Sequence, residues 1–305
     1  VECGGCRWQH LSYRDQLVLK TDMVGRPLSD VGIDRSLIKP IIPSGQSTLY
    51  RNKMEFSFGT GPEGETRVGL HLRGRYNRIF DLVECHLQSK VSNQIVDAVR
   101  RQAISMKLPV YDLRSHEGLL RFLVIREGKF TGQVLVNLVV AEFPHDQVEA
   151  LAQQVYDELP QITSFVVTLH TGKAQVAKGE AEYVLKGADS IEEKFGSVTY
   201  QISSQSFFQT NSYQVETLYE AVSVLATPLY DKRILDLYCG TGGIGLHLAR
   251  RCRSVVGIEL EEEAVADARK NATANHLSNV EFEAGSVEKL LLRIEEGGFD
   301  VIITD

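Results

Sequence analysis

The last quarter of the chain has the most regular pattern of hydrophobic and polar positions. Two short apolar runs typical of buried strands, at 234–237 and 255–258, flank a segment whose apolar positions have helical spacing. A helix at 262–274, a strand at 280–283, a short helix at 287–294 and a strand at 299–304 follow. This alternation predicts an open α/β sheet of parallel strands.

The first two hundred residues lack that alternation and predict a mixed α+β region. Helices are predicted at 12–24, 87–106 and 146–159, and strands at 50–58, 67–72, 119–127, 133–140 and 162–169. We expect Ser12 and Asp15 to begin the first helix and Gly25 to end it. Strand and turn follow at 187–203, and a helix at 215–226 leads into the α/β unit.

A glycine cluster between the two apolar runs indicates a nucleotide cofactor. Gly240, Gly242 and Gly245 match the dinucleotide fingerprint, and Glu259 ends the second strand, where a carboxylate can bind ribose hydroxyls. Glycine lets the backbone turn sharply and approach a ligand closely. Asp236, four residues before Gly240, favours S-adenosylmethionine (SAM) over NAD, because an acid on this strand is the mark of SAM-dependent methyltransferases.

Composition restricts the class of protein and adds a charge asymmetry. At 305 residues and 43% hydrophobic content the chain can bury two cores, and no apolar run is long enough for a membrane span. The net charge is −7, but residues 1–130 contain 20 Lys and Arg against 14 Asp and Glu. A basic front half beside an acidic half is compatible with a bound polyanion, or with ordinary solvated surface charge.

Three cysteines in the front half form a candidate metal site. Cys3 and Cys6 form a C-x-x-C pair, and Cys85 is the remaining cysteine before the α/β unit. Three thiolates are one short of a Cys₄ iron–sulfur site, and zinc would need His10 or His86 as well. Inert thiols are the alternative.

Basic and aromatic residues are interleaved around the first predicted hairpin. Such side chains can bind phosphates and stack bases, although a solvated hairpin edge would look the same. The candidate RNA-binding residues are Arg51, Lys53, Arg73, Arg75 and Arg78, with Tyr76 among them.

Four motifs in this order resemble the RNA 5-methyluridine methyltransferase family, over nearly the whole chain. They are Cys3–His10 (CGGCRWQH), Phe207–Asn211 (FFQTN), Asp236–Gly240 (DLYCG) and the terminal Asp305. The first of them resembles the iron–sulfur-containing branch of the family, of the 23S rRNA type.

The resemblance implies a fold, cofactors and site residues. We expect a Rossmann-like SAM-dependent methyltransferase domain at 207–305 and a central α+β RNA-binding domain at 1–206, of which roughly 9–41 packs with the methyltransferase domain. The expected SAM-binding residues are Gln209, Tyr238, Gly240, Gly242, Glu259 and Asp305. Cys3, Cys6 and Cys85 correspond to three ligands of a [4Fe–4S] cluster, with the fourth cysteine and an RNA-binding β-barrel upstream of Val1.

In that family a cysteine thiolate adds to C6 of uridine, C5 is methylated, and a Glu base removes the C5 proton. The resemblance places this cysteine and this Glu beyond Asp305, so we expect a chain cut at both ends and inactive by itself. Cys239 lies in the SAM loop and is not expected to be the nucleophile.

The expected substrate is ribosomal RNA, with transfer RNA as the alternative. We also expect a monomer in the cytoplasm, or in an organelle of a eukaryotic host. Two other functions stay open: an NAD-dependent oxidoreductase, and a non-catalytic RNA-binding protein on a methyltransferase scaffold.

Overall fold

The computed structural model describes residues 2–294 and 297–305, which form two sheets and a separate hairpin. The first sheet has seven strands: β1 (Lys53–Thr60), β2 (Thr66–Leu72), β3 (Arg75–Asp81), β4 (Leu120–Glu127), β5 (Val134–Val140), β6 (Ser164–Leu169) and β7 (Ala181–Lys186). Their order is β3-β2-β1-β4-β5-β6-β7, and only β5 and β6 pair in parallel. The strands predicted at 119–127 and 133–140 correspond to β4 and β5, which pair antiparallel.

Three helices accompany this sheet: α1 (Tyr13–Asp30), α2 (Lys90–Ser105) and α3 (Asp146–Glu158). The apolar faces of α2 and α3 pack against one face of the sheet, where Phe56 and Leu123 are fully buried. None of the helices in the described residues is long and apolar enough to cross a membrane.

Helix α1 begins where predicted and ends later. The Ser12 hydroxyl accepts a hydrogen bond from the Asp15 backbone N–H at 3.2 Å. The predicted stop at Gly25 is wrong, because the helix continues through it to Asp30. Gly25 is instead the place where the Arg35 guanidinium packs: a Cβ there would lie 2.9 Å from an Arg35 nitrogen.

The second half contains a hairpin, β8 (Ser190–Phe195) and β9 (Val198–Ser203), and a parallel four-stranded sheet of order β12-β11-β10-β13. Its strands are β10 (Arg233–Leu237), β11 (Ser254–Glu259), β12 (Val280–Ala284) and β13 (Val301–Thr304). The helices are α4 (Ser212–Leu225), α5 (Gly243–Ala249), α6 (Glu262–Ala274) and α7 (Val287–Leu291). These elements occur in the predicted order.

One hydrophobic core continues from the first sheet into the second. It includes Leu135 and Val166 of the seven-stranded sheet, Tyr200 of the hairpin, and Ile234 and Leu246 of the parallel sheet and its helix. The hairpin packs against α6 of the parallel unit. The domain boundary between residues 206 and 207 stays a prediction. The parts of the chain on either side of it share this one hydrophobic core.

Asn271 of α6 and Asn275, which caps the end of that helix, hold the hairpin in place. Asn271 accepts a hydrogen bond from the Gln201 N–H at 2.7 Å, and Asn275 accepts one from the Thr199 N–H at 2.9 Å. Each side-chain amide also donates to the carbonyl of the same β9 residue. The four-residue spacing on the helix thus matches a two-residue spacing on the strand, and the outer edge of β9 is covered.

Candidate functional site

The turn between β10 and α5 has the backbone that its glycines predict. Gly240 has φ 54° and Gly242 has φ 80°, both in the left-handed region that favours glycine. A Cβ at Gly242 would lie 2.8 Å from the Phe282 ring, whereas a Cβ at Gly240 would meet nothing within 4 Å. The space beside Gly240 is therefore open to a ligand, while Gly242 is required by packing beneath the turn.

Asp236 lies buried below this turn, with 2% of its surface exposed. Its Oδ2 atom accepts a hydrogen bond from the Gly245 N–H at 3.0 Å, which ties β10 to the start of α5. Burial, with a smaller contribution from the Asp305 carboxylate, raises the pKa of Asp236 to about 7. A buried carboxyl with this pKa ionises more readily when a cation binds next to it.

Glu259 ends β11 on the other side of the turn. One carboxylate oxygen accepts hydrogen bonds from the N–H groups of Leu260 and Glu261, at 2.7 and 3.0 Å. The other accepts one from the Gly240 N–H at 3.0 Å. The carboxylate is thus fixed between two loops, at the carboxyl ends of neighbouring strands where open α/β sheets bind ligands.

The 207–211 segment brings side chains to the same place from outside the parallel sheet. The Gln209 side-chain amide donates to Asp305 Oδ2 at 3.0 Å. Its backbone is held by Asn52, whose side-chain amide donates to the Gln209 carbonyl at 2.8 Å. Phe207 lies beside them with 66% of its surface exposed.

These residues line two cavities that share Phe207, Tyr238 and Gly240. The first, of about 50 Å³, also contains Asp236, Gln209 and Asp305, and the second, of about 140 Å³, contains Glu259. Five of the six predicted cofactor residues therefore face one continuous cleft. The sixth, Gly242, lies beneath the turn and lines neither cavity.

Sequence reasoning missed Lys178, which also lines the second cavity. The Lys178 ammonium lies 3.6 Å from the carboxylate of Glu261, a residue that belongs to the loop on the other side of the cleft. No local motif marks this lysine. Only the folding of the chain brings the loop after β6 next to the loop after β11.

Cys239 lines the first cavity but is a poor candidate for a nucleophile. It is buried, and burial, together with the nearby carboxylates of Asp236 and Glu259, raises the pKa of its thiol far above the usual value. A nucleophilic cysteine needs a lowered pKa and access to its substrate.

The predicted cluster ligands lie near each other without forming a metal site. Burial and the neighbouring Cys85 and Cys3 raise the pKa of the Cys6 thiol, so the three are close. Across residues 2–294 and 297–305, however, no group of three His, Cys, Asp or Glu side chains could hold a metal ion. The described geometry therefore does not support the cluster or a zinc site.

Packing explains why a glycine, Gly4, stands between Cys3 and Cys6. The Gly4 N–H donates to the His71 carbonyl at 2.9 Å, and a Cβ at Gly4 would lie 2.6 Å from that oxygen. The backbone of this segment therefore lies directly against the end of β2.

The five predicted RNA-binding residues have different environments. Arg73 donates to the Cys6 carbonyl at 2.7 Å, and half-buried Lys53 is paired with Glu55. Arg51 is only partly exposed. Arg75 and Arg78 are exposed on β3. A role in RNA binding stays a prediction for all five.

Comparison with known proteins agrees with this geometry. Residues 230–305 match the family model of a methyltransferase domain. Across its whole length the chain is 38% identical to an uncharacterized RNA methyltransferase of Caldanaerobacter subterraneus, covering 68% of that protein. It is 35% identical to another from Chlorobaculum tepidum, covering 92% of this chain and 61% of that one.

Among solved structures, the chain is similar to the tRNA (uracil-54, C5)-methyltransferase of Pyrococcus abyssi in complex with S-adenosyl-L-homocysteine. The TM-score is 0.80 and the identity 31%, over 99% of this chain and 68% of that one. The fold is accordingly a Rossmann-like methyltransferase domain preceded by a sheet domain. The chain spans roughly two thirds of the length of these relatives, and it belongs to the RNA methyltransferase family.

Proposed function

We propose that this protein transfers a methyl group from SAM to C5 of uridine in RNA. The observation that carries the proposal is the pair of adjoining cavities around Gly240, with Asp236, Asp305 and Gln209 at one end and Glu259 at the other. A cofactor with a cationic amino-acid end and a ribose matches this distribution of carboxylates.

Each end of the cleft has a defined part in holding the cofactor. The Glu259 carboxylate accepts hydrogen bonds from the ribose hydroxyls. These bonds are added to, or replace, the ones that it accepts from backbone N–H groups in the free protein. Asp236 and Asp305 provide negative charge for the methionine ammonium group. Tyr238, which is half exposed and lies in the wall common to both cavities, covers the cofactor between its two ends.

The chemistry of uracil explains why more than cofactor binding is needed. SAM supplies an electrophilic methyl group, but C5 of uracil is a poor nucleophile. A thiolate adds to C6, and the electron pair displaced to C5 would form the new bond to the methyl carbon as its bond to the sulfonium sulfur breaks, which would leave S-adenosylhomocysteine. A base then takes the C5 proton, and the returning electron pair expels the thiolate.

Phe207 gives the cleft a surface for a base. It is an exposed aromatic ring in the wall of both cavities, next to the predicted methyl donor. Enzymes that act on a base take it out of its stack and hold it against aromatic or apolar side chains. We propose ribosomal RNA as the substrate. The Pyrococcus relative supports transfer RNA as the alternative.

SAM binding depends on Glu259. We expect calorimetry to show SAM binding by the chain and no NAD binding. Glu259→Ala should weaken SAM binding by about 1–3 kcal/mol, because a charged hydrogen-bond acceptor is lost. Glu281→Ala, on exposed β12 surface outside both cavities, is the matched control and should bind normally. NAD binding without SAM binding would favour an oxidoreductase and refute the proposal.

Affinity for SAM should rise between pH 6 and 8. The pKa of Asp236 is about 7, so its carboxylate becomes available to the cationic cofactor over this range. The charged groups around it are Asp305 and, farther across the turn, Glu259. Since the folded-state pKa of Asp236 is raised, ionisation should also lower the stability of the free protein as pH rises towards 7.

The Asp236→Asn variant provides the control for this pH dependence. The variant keeps an oxygen for the Gly245 N–H and cannot ionise, so its affinity should change little with pH. Calorimetry at several pH values measures both proteins. If the affinity of Asp236→Asn rose with pH as much as that of the wild type, another group would be responsible for the pH dependence.

Methyl transfer is the test of the reaction itself. The 305-residue chain should not methylate RNA with tritiated SAM, because Cys239, the cysteine that lines the described cleft, is buried with a raised pKa. The full-length Caldanaerobacter relative is the positive control, assayed on unmodified ribosomal and transfer RNA. Mass spectrometry of its product locates the methyl group.

Two results would contradict this account. A methyl group on a ribose oxygen or a ring nitrogen in the relative's product would exclude the C5 reaction. Turnover by the 305-residue chain that is lost in Cys239→Ser would identify Cys239 as the nucleophile.

A further inference from the structure

A separate cavity of about 220 Å³ lies on the seven-stranded sheet, away from the cofactor cleft. Its lining includes Ser57 of β1, Tyr76 and Asn77 of β3, and Arg121 at the start of β4. Along β1, Ser57 is five residues from Asn52, which contacts the cofactor segment. At about 3.4 Å per residue the cavity is roughly 17 Å along the strand from that contact.

Arg121 is a buried cation in the wall of this cavity, with 3% of its surface exposed. Its guanidinium donates to the carbonyls of His170 and Ala174 at 2.7 and 2.9 Å, and it lies 4.1 Å from the centre of the Tyr111 ring. Its Nε atom has no hydrogen-bond partner. The guanidinium also donates to the Gly172 carbonyl. Within the described residues no carboxylate lies within ion-pair distance of it, so backbone carbonyls and the more distant Glu180 carboxylate hold its positive charge in place.

Buried charges in proteins are normally paired, and an unpaired donor is costly. An anionic or carbonyl-bearing ligand in the cavity would be attracted by the positive charge of the guanidinium group in its wall. Amide side chains of Asn77 and Gln175 also line the cavity and can donate to or accept from a base edge. The Asp112 carboxylate lines the cavity too, where it accepts hydrogen bonds from the Arg114 and Ser115 N–H groups. The lining is thus suited to a polar, planar group that has both donors and acceptors, such as a base.

Tyr76 forms the border between this cavity and a wide neighbouring groove. Its ring is 83% exposed, and it lines both spaces. The groove, of about 940 Å³, is lined by Trp8, Arg73 and Arg75 among others. A chain with phosphates in the groove could therefore insert one base past Tyr76 into the cavity.

We propose that this cavity binds one unstacked nucleotide of the RNA substrate, other than the uridine that is methylated. The inference rests on the proposed RNA substrate and extends it to a second contact. Single-stranded RNA is recognised by bases that stack on aromatic rings and guanidinium planes.

Tyr76→Ala tests the proposal, because an exposed side chain can be removed without loss of folding. The probe is a fluorescent single-stranded RNA of about 12 nucleotides, within the usual site sizes of single-strand-binding proteins, at constant ionic strength. We expect Tyr76→Ala to weaken binding about tenfold through a lost stacking partner. Tyr230→Ala removes a tyrosine of similar exposure, 89%, that lines neither space and should bind RNA normally.

Equal affinities of the wild type, Tyr76→Ala and Tyr230→Ala would overturn the proposal, as would failure of the wild type to bind the RNA. Uridine monophosphate alone should compete only weakly. Saturable binding of this mononucleotide that is lost in Tyr76→Ala, with RNA affinity unchanged, would identify a mononucleotide site and also overturn it. SAM calorimetry on the same proteins keeps the two proposals apart: a wild-type protein that binds SAM normally and does not bind the RNA refutes only the nucleotide cavity.

Discussion

A polar network around Asn52 positions the Gln209 side of the cofactor site. The Asn52 side-chain amide donates to the Gln209 carbonyl and to the Ser212 hydroxyl, both at 2.8 Å. Ser212 in turn donates to Glu193 Oε2 at 2.6 Å, and Glu193 also accepts from the Lys129 N–H at 2.7 Å. The two hydrogen bonds of the Ser212 hydroxyl are buried and the other two are partly buried. An unsatisfied partner in a buried region costs about 1–3 kcal/mol. The first sheet, the hairpin and the start of α4 therefore have one favourable arrangement.

This network explains how a site on the parallel sheet depends on residues outside it. Gln209 reaches Asp305 because its backbone is fixed to the first sheet, while Gly240 and Glu259 are fixed by the parallel sheet itself. The cofactor cleft is consequently a product of both sheets. A shift between them would separate Gln209 from Asp305.

The sequence could predict the parallel unit because its signals are local. The strand–turn–helix–strand pattern, the glycines with left-handed backbone and Glu259 at the strand end all lie within 30 residues. The same reasoning missed β3 and β7, whose exposed, charged residues lack the pattern of a buried strand. It also misplaced the end of α1, because the packing of Arg35 against Gly25 is not a local signal.

Contacts between distant parts of the chain could not be predicted from the sequence, because no local pattern marks the residues that form them. Nothing near Lys178 or Arg121 indicates that each lines a cavity. Asn52 and Gln209 are 157 residues apart, and their contact follows from the packing of the two sheets. The thiols are a different case. A recognisable motif marks Cys3 and Cys6, and Cys85 lies near them in the fold. The described geometry of these three cysteines nevertheless does not form a metal site.

The most direct test is a double-mutant cycle between Asn52 and Gln209, read out as S-adenosylhomocysteine affinity by calorimetry. Asn137→Ala, which also removes a fully buried asparagine from the first sheet but one whose side chain accepts from Thr168 and not from the 209 segment, is the matched control. The account predicts that Asn52→Ala weakens binding although it does not line the cleft, and that Gln209→Ala then adds less than it does alone, with a coupling of about 0.5–3 kcal/mol. A folded Asn52→Ala protein that binds like the wild type would show that the first sheet does not position the cofactor site.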